Sequence, residues 1–250
     1  RRLEIDVAFI SKKMDQFTYF AAQLGETDWH GKDVLDFGGN VGNILRDPNS
    51  TIDEQRYWCI DVDQEAIQKG AQAFPGSHWL FYDRYCFFFN PRGTPGLKLP
   101  TLRQQFDYIV SYSVFTNTNQ DDLFDMVGQL RSLLKQDGTL AFTFIDPHYH
   151  SWPGQYEGNN LRWRLEKDQN ENPHVDIAAL LDRARDAPWC LLINGEDLYV
   201  GDEAATPPRA EREQSYYTFY SADYMRSLFP DSVVLPPSNN EMQHCCLLRR

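Results

Sequence analysis

The feature that most constrains this chain is a glycine-rich turn, Asp36-Phe37-Gly38-Gly39-Asn40-Val41-Gly42, set directly behind the apolar residues Val34-Leu35. A short apolar run bounded by turn residues reads as a buried strand. Glycines immediately after it let the backbone turn tightly and bring its N–H groups close to a ligand. The middle position holds Asn40, the non-glycine type best able to adopt the left-handed α conformation, so the turn survives the substitution. A strand must lead into this turn and a helix must leave it.

The rest of the sequence repeats that rhythm. Met14, Phe17, Phe20 or Ala21, and Leu24 recur at helical spacing, and Gly25 stands where a helix-ending glycine belongs. Strands are expected at Asp33–Phe37, Tyr57–Ile60, His78–Phe81, Tyr108–Ser111 and Thr139–Ile145. Asp63 caps a helix over Gln64–Ala73, and Leu123, Val127, Leu130 and Leu134 mark another before the Asp137-Gly138 turn. An irregular stretch lies between Asn90 and Pro100. Alternation of strands and helices favours a mostly parallel sheet with helices on both faces. The rhythm breaks after Asp146 with a loop over Pro147–Asn160, a helix near Ile177–Arg185, and a hairpin whose two strands flank Asn194-Gly195. It resumes with Ser221 capping a helix to Phe229, then Val233–Leu235 and His244–Leu248.

Composition excludes several classes. With 24 Lys+Arg against 36 Asp+Glu the formal charge is −12, which argues against nucleic acid and anionic membrane as partners. The chain holds 6 Trp, 13 Tyr and 16 Phe, too many aromatics for a solvated coil. No stretch is long and apolar enough to span a bilayer, and the start, RRLEIDVAFISKK, has no apolar core of a secretory signal. Cys59, Cys86, Cys190, Cys245 and Cys246 are odd in number and include no CxxC pair. They read as buried free thiols in a reducing, cytoplasmic setting.

Acidic residues at successive strand ends sharpen the reading. Asp61 ends the second strand, where a carboxylate can accept both hydroxyls of a ribose. Asp83 ends the third, where one can accept from the exocyclic amine of an adenine. In doubly wound sheets ligands bind at these carboxyl ends. Either aspartate alone could be a helix cap or turn residue; three matches in order are hard to reach by chance. A dinucleotide fingerprint G-x-G-x-x-G fails, because from Gly38 its later glycines fall on Asn40 and Asn43.

These motifs together resemble the class I S-adenosylmethionine-dependent methyltransferases. Val34 to Gly42 is similar to the family's first motif, Cys59-Ile60-Asp61-Val62-Asp63 to the second, and Phe81-Tyr82-Asp83 to the adenine-side acidic motif. Phe106 to Thr116 resembles the strand-four motif, and Leu133 to Leu140 the turn into strand five. The resemblance implies a Rossmann-like, seven-stranded, mostly parallel sheet with helices on both faces and a cap-like insertion after strand five. It divides the chain into an N-terminal helical segment (1–30), a cofactor core (31–146), an acceptor cap (147–215) and closing elements (216–250). It implies S-adenosyl-L-methionine as cofactor and S-adenosyl-L-homocysteine as product. Gly38, Gly39, Asn40 and Gly42 would hold the methionine part, with Asp36 orienting its amino end. Asp61 would bind the ribose, Val62 would pack on the adenine, and Asp83 with the backbone of Arg84 would bind the adenine edge. Ser111 and Tyr112 would line the floor beneath the methyl.

Two departures narrow the substrate. Relatives with SVFTH carry a histidine where this chain has Asn117, and the Asn-Pro-Pro-aromatic motif of amino-methylating nucleic-acid enzymes is replaced by Ser111-Tyr112-Ser113-Val114. A small-molecule acceptor is therefore expected, with oxygen as the first choice of atom and nitrogen or carbon left open. For a general base the choices are His148 and His150, directly after strand five, because imidazole titrates near neutrality. The same residues could simply tie down the root of the cap, or hold a divalent ion with a nearby carboxylate; no metal is assigned. His174, Glu196 and Asp197 are weaker choices, and His244 reads as a satisfied core histidine. Tyr149, Trp152, Tyr156 and Trp163 could wall an acceptor pocket or only pack. A non-catalytic nucleoside-binding module and a protein methyltransferase of the same fold stay open, and a nicotinamide oxidoreductase is disfavoured by the missing glycines.

Overall fold

The computed structural model describes residues 15–150, 158–205, 216–238 and 242–250. Strand β1 (Val34–Phe37) is buried along its whole length, and successive side chains enter opposite cores. Leu35, Ile109 and Leu140 face one side, against helix α4 (Gln120–Ser132) through Leu123, Val127 and Leu130. Val34, Val110 and Ala141 face the other, against α1 (Gln16–Leu24) through Phe17 and Phe20, and α3 (Gln64–Ala73) through Ile67. Burial on both faces is why these strands read as continuous apolar runs.

β1 pairs in parallel with β2 (Tyr57–Asp61) and β4 (Phe106–Ser111); β2 pairs with β3 (His78–Phe81), and β4 with β5 (Leu134–Ile145). β10 (Gln243–Arg249) runs antiparallel to β5 and to β9 (Val233–Leu235). The order β3-β2-β1-β4-β5-β10-β9 is therefore seven strands, all parallel save β10. The sheet places the carboxyl ends of β1, β2, β3, β4 and β5 on one rim.

The same sheet continues from this rim through three further strands. β6 (Trp189–Ile193) and β7 (Asp197–Val200) form the expected hairpin, with Asn194 and Gly195 at φ 52° and 76° as a type I′ turn requires. β8 (Tyr216–Tyr220) runs antiparallel to β6 and meets β5 at one pair, Ile145 with Phe219. Because β10 takes the other edge of Ile145, β8 lies on the β4 side of β5, just past the end of β4. Helices α5 (Asn160–Asp168) and α6 (Ile177–Arg183) cover these strands around a core of Leu161, Leu165, Cys190, Leu192, Leu198 and Phe219.

Some boundaries differ from the sequence reading. β5 begins at Leu134 rather than Thr139, with its register shifted between the pairs Phe106–Leu134 and Tyr108–Thr139; a Cβ on Gly138 would lie 2.7 Å from the Phe106 carbonyl, so glycine permits the close approach. The turn after β1 continues into only one helical turn, α2 (Asn43–Arg46). Helix α5 was not read from the sequence; Asn159 caps it by accepting from the Arg162 N–H, and Leu161 and Leu165 bury one side. The remaining elements are α7 (Asp202–Ala205) and α8 (Ala222–Leu228), the latter capped by Ser221 as expected. Met14, Trp152 and Tyr156 lie outside the described residues.

The indole of Trp79 on β3 is wedged between α3 and the glycine turn, its Nε1–H donating to the Phe74 carbonyl. A Cβ on Gly70 of α3 would clash with the indole ring, and one on Gly42 would lie 2.9 Å from it. Alanine at a helix interior normally gains about 1 kcal/mol over glycine, whereas overpacking costs about 1–3 kcal/mol. Overpacking wins here, so Gly70→Ala is expected to lower the midpoint of urea unfolding; an unchanged or raised midpoint would show that Trp79 moves aside freely.

Candidate functional site

The glycine turn holds three residues in left-handed conformation: Gly38 (φ 77°), Asn40 (φ 54°) and Gly42 (φ 80°). Asn40 thus does what the sequence reading asked of it, and its own side-chain oxygen accepts from the Val41 N–H at 2.8 Å. Gly38 N–H donates to the Ile60 carbonyl (2.7 Å), and Asn40 N–H donates to Asp61 Oδ2 (2.7 Å). The other Asp61 oxygen accepts from Asp63 N–H at 2.8 Å. Asp61 is buried, and burial raises its pKa above the usual carboxylate value. It joins two strand-end turns, a role the sequence reading did not include beside that of ribose acceptor.

Asp36 lies beneath the turn. Its carboxylate accepts from Tyr57 Oη–H at 2.7 Å, and a Cβ on Gly39 would clash with it. Only 2% of the residue is exposed, and burial pushes its pKa up to about 7, against the lowering effect of the Tyr57 hydrogen bond and with the Asp61 charge adding to the rise. Cys59 sits beside it, its thiol pushed up by burial.

Beyond Asp61 opens a cavity of ≈ 370 Å³ lined by Val62, Asp63, Gln64, Glu65, Phe81, Phe88, Phe89 and Asn90. Val62 is where the sequence reading put an adenine wall. Phe81 belongs to the adenine-side motif of the sequence reading; Phe88, Phe89 and Asn90 were not singled out as site residues, although the triplet Phe87-Phe88-Phe89 just before the Gly/Pro-rich stretch was a usable signal: apolar rings in an irregular segment need something to cover. Phe81 and Phe89 remain exposed, at 38% and 47%. Asp83 is exposed at the end of β3, and its Oδ1 accepts from Asn90 Nδ2 (3.0 Å). The neighbouring Arg84 N–H already donates to the Tyr82 carbonyl (2.7 Å). Its buried guanidinium turns to α4, pairing with Asp122 and donating to the Leu97 carbonyl. Arg84 therefore anchors the segment that carries the phenylalanines.

At the end of β4, Ser111 is fully buried and its hydroxyl has no partner among the described residues. Tyr112 packs edge-on against Tyr19 and Phe20 of α1. Ser113 takes φ 57°, and Asn117 Nδ2 donates to its carbonyl (3.2 Å), so Asn117 braces this turn. At the end of β5, Asp146 Oδ1 accepts from His148 N–H and its Oδ2 from Ala222 N–H, both at 2.8 Å. His148 Nε2 lies 3.0 Å from the Ala187 carbonyl, and His150 is exposed.

The weaker choices are not brought in. His174 pairs with Glu196 on an exposed surface of the hairpin (2.9 Å), and Asp197 is exposed. His244 is buried as expected, stacked on Phe144 with Tyr149 edge-on, but its Nδ1 has no partner among the described residues. It is a core histidine that is not fully satisfied, because its strand neighbours there are aromatic rings. Burial lowers its pKa, keeping it neutral. Trp163 is buried in the cap.

Residues 35–140 match the methyltransferase domain family. The fold is also that of solved methyltransferases. The glycopeptide N-methyltransferase MtfA superposes with a TM-score of 0.54 at 10% identity, covering 97% of this chain and 92% of that one. An S-adenosylmethionine-dependent methyltransferase from Clostridium acetobutylicum gives 0.50 at 14% identity, over 95% and 91% of the two chains. The mitomycin 7-O-methyltransferase MmcR gives 0.50 at 11%, over 94% of this chain and 54% of that one. No curated protein sequence matches the chain. The family match covers the strand-and-helix core from β1 into β5, and the Rossmann-like α/β fold of the chain is the one these solved methyltransferases share.

Asp36 sets a pH dependence whose sign follows from its raised pKa. Between the ordinary value of 3.8 and about 7 the native state keeps a proton that the unfolded chain releases. This group's contribution to stability therefore falls as pH rises through that window and is constant above it. Asp36→Asn, which keeps an oxygen for Tyr57, is expected to flatten that fall when unfolding free energy is measured from pH 4 to pH 8. Parallel wild-type and variant curves would mean that Asp36 is ionised throughout.

Proposed function

We propose that the protein transfers the methyl group of S-adenosyl-L-methionine to a small-molecule acceptor, with oxygen as the methylated atom. The observation that carries this reading is three features at the carboxyl ends of β1 and β2: the left-handed turn Gly38–Gly42, the Asp61 carboxylate bonded to it through the Asn40 N–H, and the cavity lined by Val62, Phe81, Phe88 and Phe89. The turn would receive the methionine part and Asp61 the ribose. Val62, Phe81 and Phe89 would take the adenine, whose faces stack well on phenyl rings. In this assignment Asp83 receives the exocyclic amine, while the committed Arg84 N–H leaves Arg84 as an anchor. Structures of the relative MtfA with S-adenosylmethionine, S-adenosylhomocysteine and sinefungin support the choice of cofactor.

The methyl sulfonium is already activated, so the protein's part is to align the acceptor for in-line displacement and to remove its proton. The cap, residues 147–215, would close over the acceptor together with β8. A small acceptor suits a site covered by strands with a core of their own, and the acidic chain lacks the basic surface that nucleic acid rewards. Among the described residues no helix is long and apolar enough to cross a membrane. We assign the base to His150, because the His148 ring is held against the Ala187 carbonyl and ties the cap root in place.

Calorimetric titration with S-adenosylmethionine and S-adenosylhomocysteine tests the cofactor assignment. Micromolar binding is expected, weakened by about 1.5–3 kcal/mol in Asp61→Ala, the cost of losing hydrogen bonds to a charged group. A folded protein that binds neither ligand would refute it. The two histidines should separate: His148→Ala is expected to lower the thermal midpoint with cofactor binding intact. His150→Gln should leave the midpoint unchanged and lower kcat by at least about tenfold for a phenolic acceptor found by screening. An unaltered kcat would remove His150 from the mechanism.

A further inference from the structure

One polar chain on the rim is not used by the cofactor assignment. Ser113 N–H donates to Thr143 Oγ1 at 2.8 Å, and Thr143 Oγ1–H donates to Gln243 Oε1 at 2.6 Å. The Thr143 hydroxyl thus accepts from one neighbour and donates to the other, and the glutamine presents its carboxamide oxygen to it. Its –NH2 is left as the outward end and donates to no partner among the described residues. Tyr19 Oη–H donates to the Gln243 backbone carbonyl (3.0 Å), so main chain and side chain of Gln243 are both held.

The placement is specific. Gln243 opens β10 opposite Ile145, the last residue of β5; Thr143 lies two residues earlier, and Ser113 follows the end of β4. Ser113 pays for its N–H contact with a left-handed φ of 57°, a conformation that costs a non-glycine residue free energy. Gln243 is buried, with 5% of its surface exposed. The amide nitrogen itself is not among the sealed, unpartnered polar atoms of the structure, so its N–H groups are open to a ligand or water. Ser113 directly follows Ser111 and Tyr112, which the family resemblance sets beneath the transferred methyl, and Thr143 lies on the neighbouring strand β5.

We propose that Gln243 is the acceptor-binding residue of this site. Oriented by Thr143, its two amide N–H bonds face the locus of methyl transfer and receive an oxygen on the acceptor next to the methylated atom. The class of acceptor this selects bears a carbonyl, carboxylate or second hydroxyl oxygen beside the nucleophile. Thr143 is the positioning residue behind it. The proposal rests on the S-adenosylmethionine reading.

The test needs no acceptor. Sinefungin carries an amine, protonated near neutrality, in place of the transferred methyl, whereas S-adenosylhomocysteine is uncharged there. Charge placed at position 243 should therefore move the ratio of their dissociation constants. Gln243→Glu is expected to favour sinefungin over S-adenosylhomocysteine by about tenfold relative to wild type, and Gln243→Lys to disfavour it by a similar factor. The Lys variant also serves if the Glu variant does not fold, as judged by its thermal transition. Thr143→Val should halve or better the effect of Gln243→Glu in the double variant, and Thr143→Ser should restore it. Ratios unchanged from wild type in a folded charged variant would overturn the inference alone. Failure of the wild type to bind either ligand would remove the cofactor reading and this inference with it.

Discussion

The site depends on one carboxylate that holds two turns. Asp61 accepts the Asn40 N–H with one oxygen and the Asp63 N–H with the other, so the turn after β1 and the turn after β2 are set against each other. Charge-assisted bonds to backbone donors are among the stronger hydrogen bonds available to a protein. With them, the Gly38–Ile60 bond, the Arg46 bond to the Val41 carbonyl and the local turns hold the left-handed path through Gly38, Asn40 and Gly42. Trp79 supports the same turn from the α3 side, and Asp36 fills the space beneath Gly39. Each of these positions leaves no room for a larger neighbour.

Asp146 plays the corresponding part at the root of the cap. Its two oxygens take the backbone N–H groups of His148 and Ala222, joining the end of β5, the start of the insertion and the first turn of α8. An acceptor at a helix N-terminus is favourable for the charge as well as for the orphan donor. The described part of the insertion is thereby fixed to the main sheet at Asp146 and has a core of its own.

The main sheet and the glycine turn were legible in the sequence for a simple reason. Strands buried on both faces have no polar positions, so Val34-Leu35 and Ile109-Val110 announce themselves, and the glycines mark where the chain must turn. The hairpin at Asn194-Gly195 and the caps at Asp63 and Ser221 were equally local, since each depends on residues adjacent in the chain. Helix α5 was missed because its apolar residues, Leu161, Trp163 and Leu165, sit among Asn, Arg and Lys and are buried by a core built from distant strands. Phe88 and Phe89 were passed over because an irregular segment has no period from which a buried face can be read. The satisfied state expected of His244 failed on its cross-strand surroundings, which alternation alone does not reveal.

By itself the sequence determined which segments of residues 31–146 are strands, the left-handed turn and the acids at the strand ends, because all of these follow from backbone conformations that neighbouring residues permit or forbid. Only the tertiary structure decided what those acids touch, that the segment bearing Phe88 and Phe89 folds back over Val62, and that Gln243 meets Thr143 and Ser113. Those partners lie far apart in the chain, and their meeting is set by sheet register and by how each helix packs across it. Local propensity does not specify either quantity.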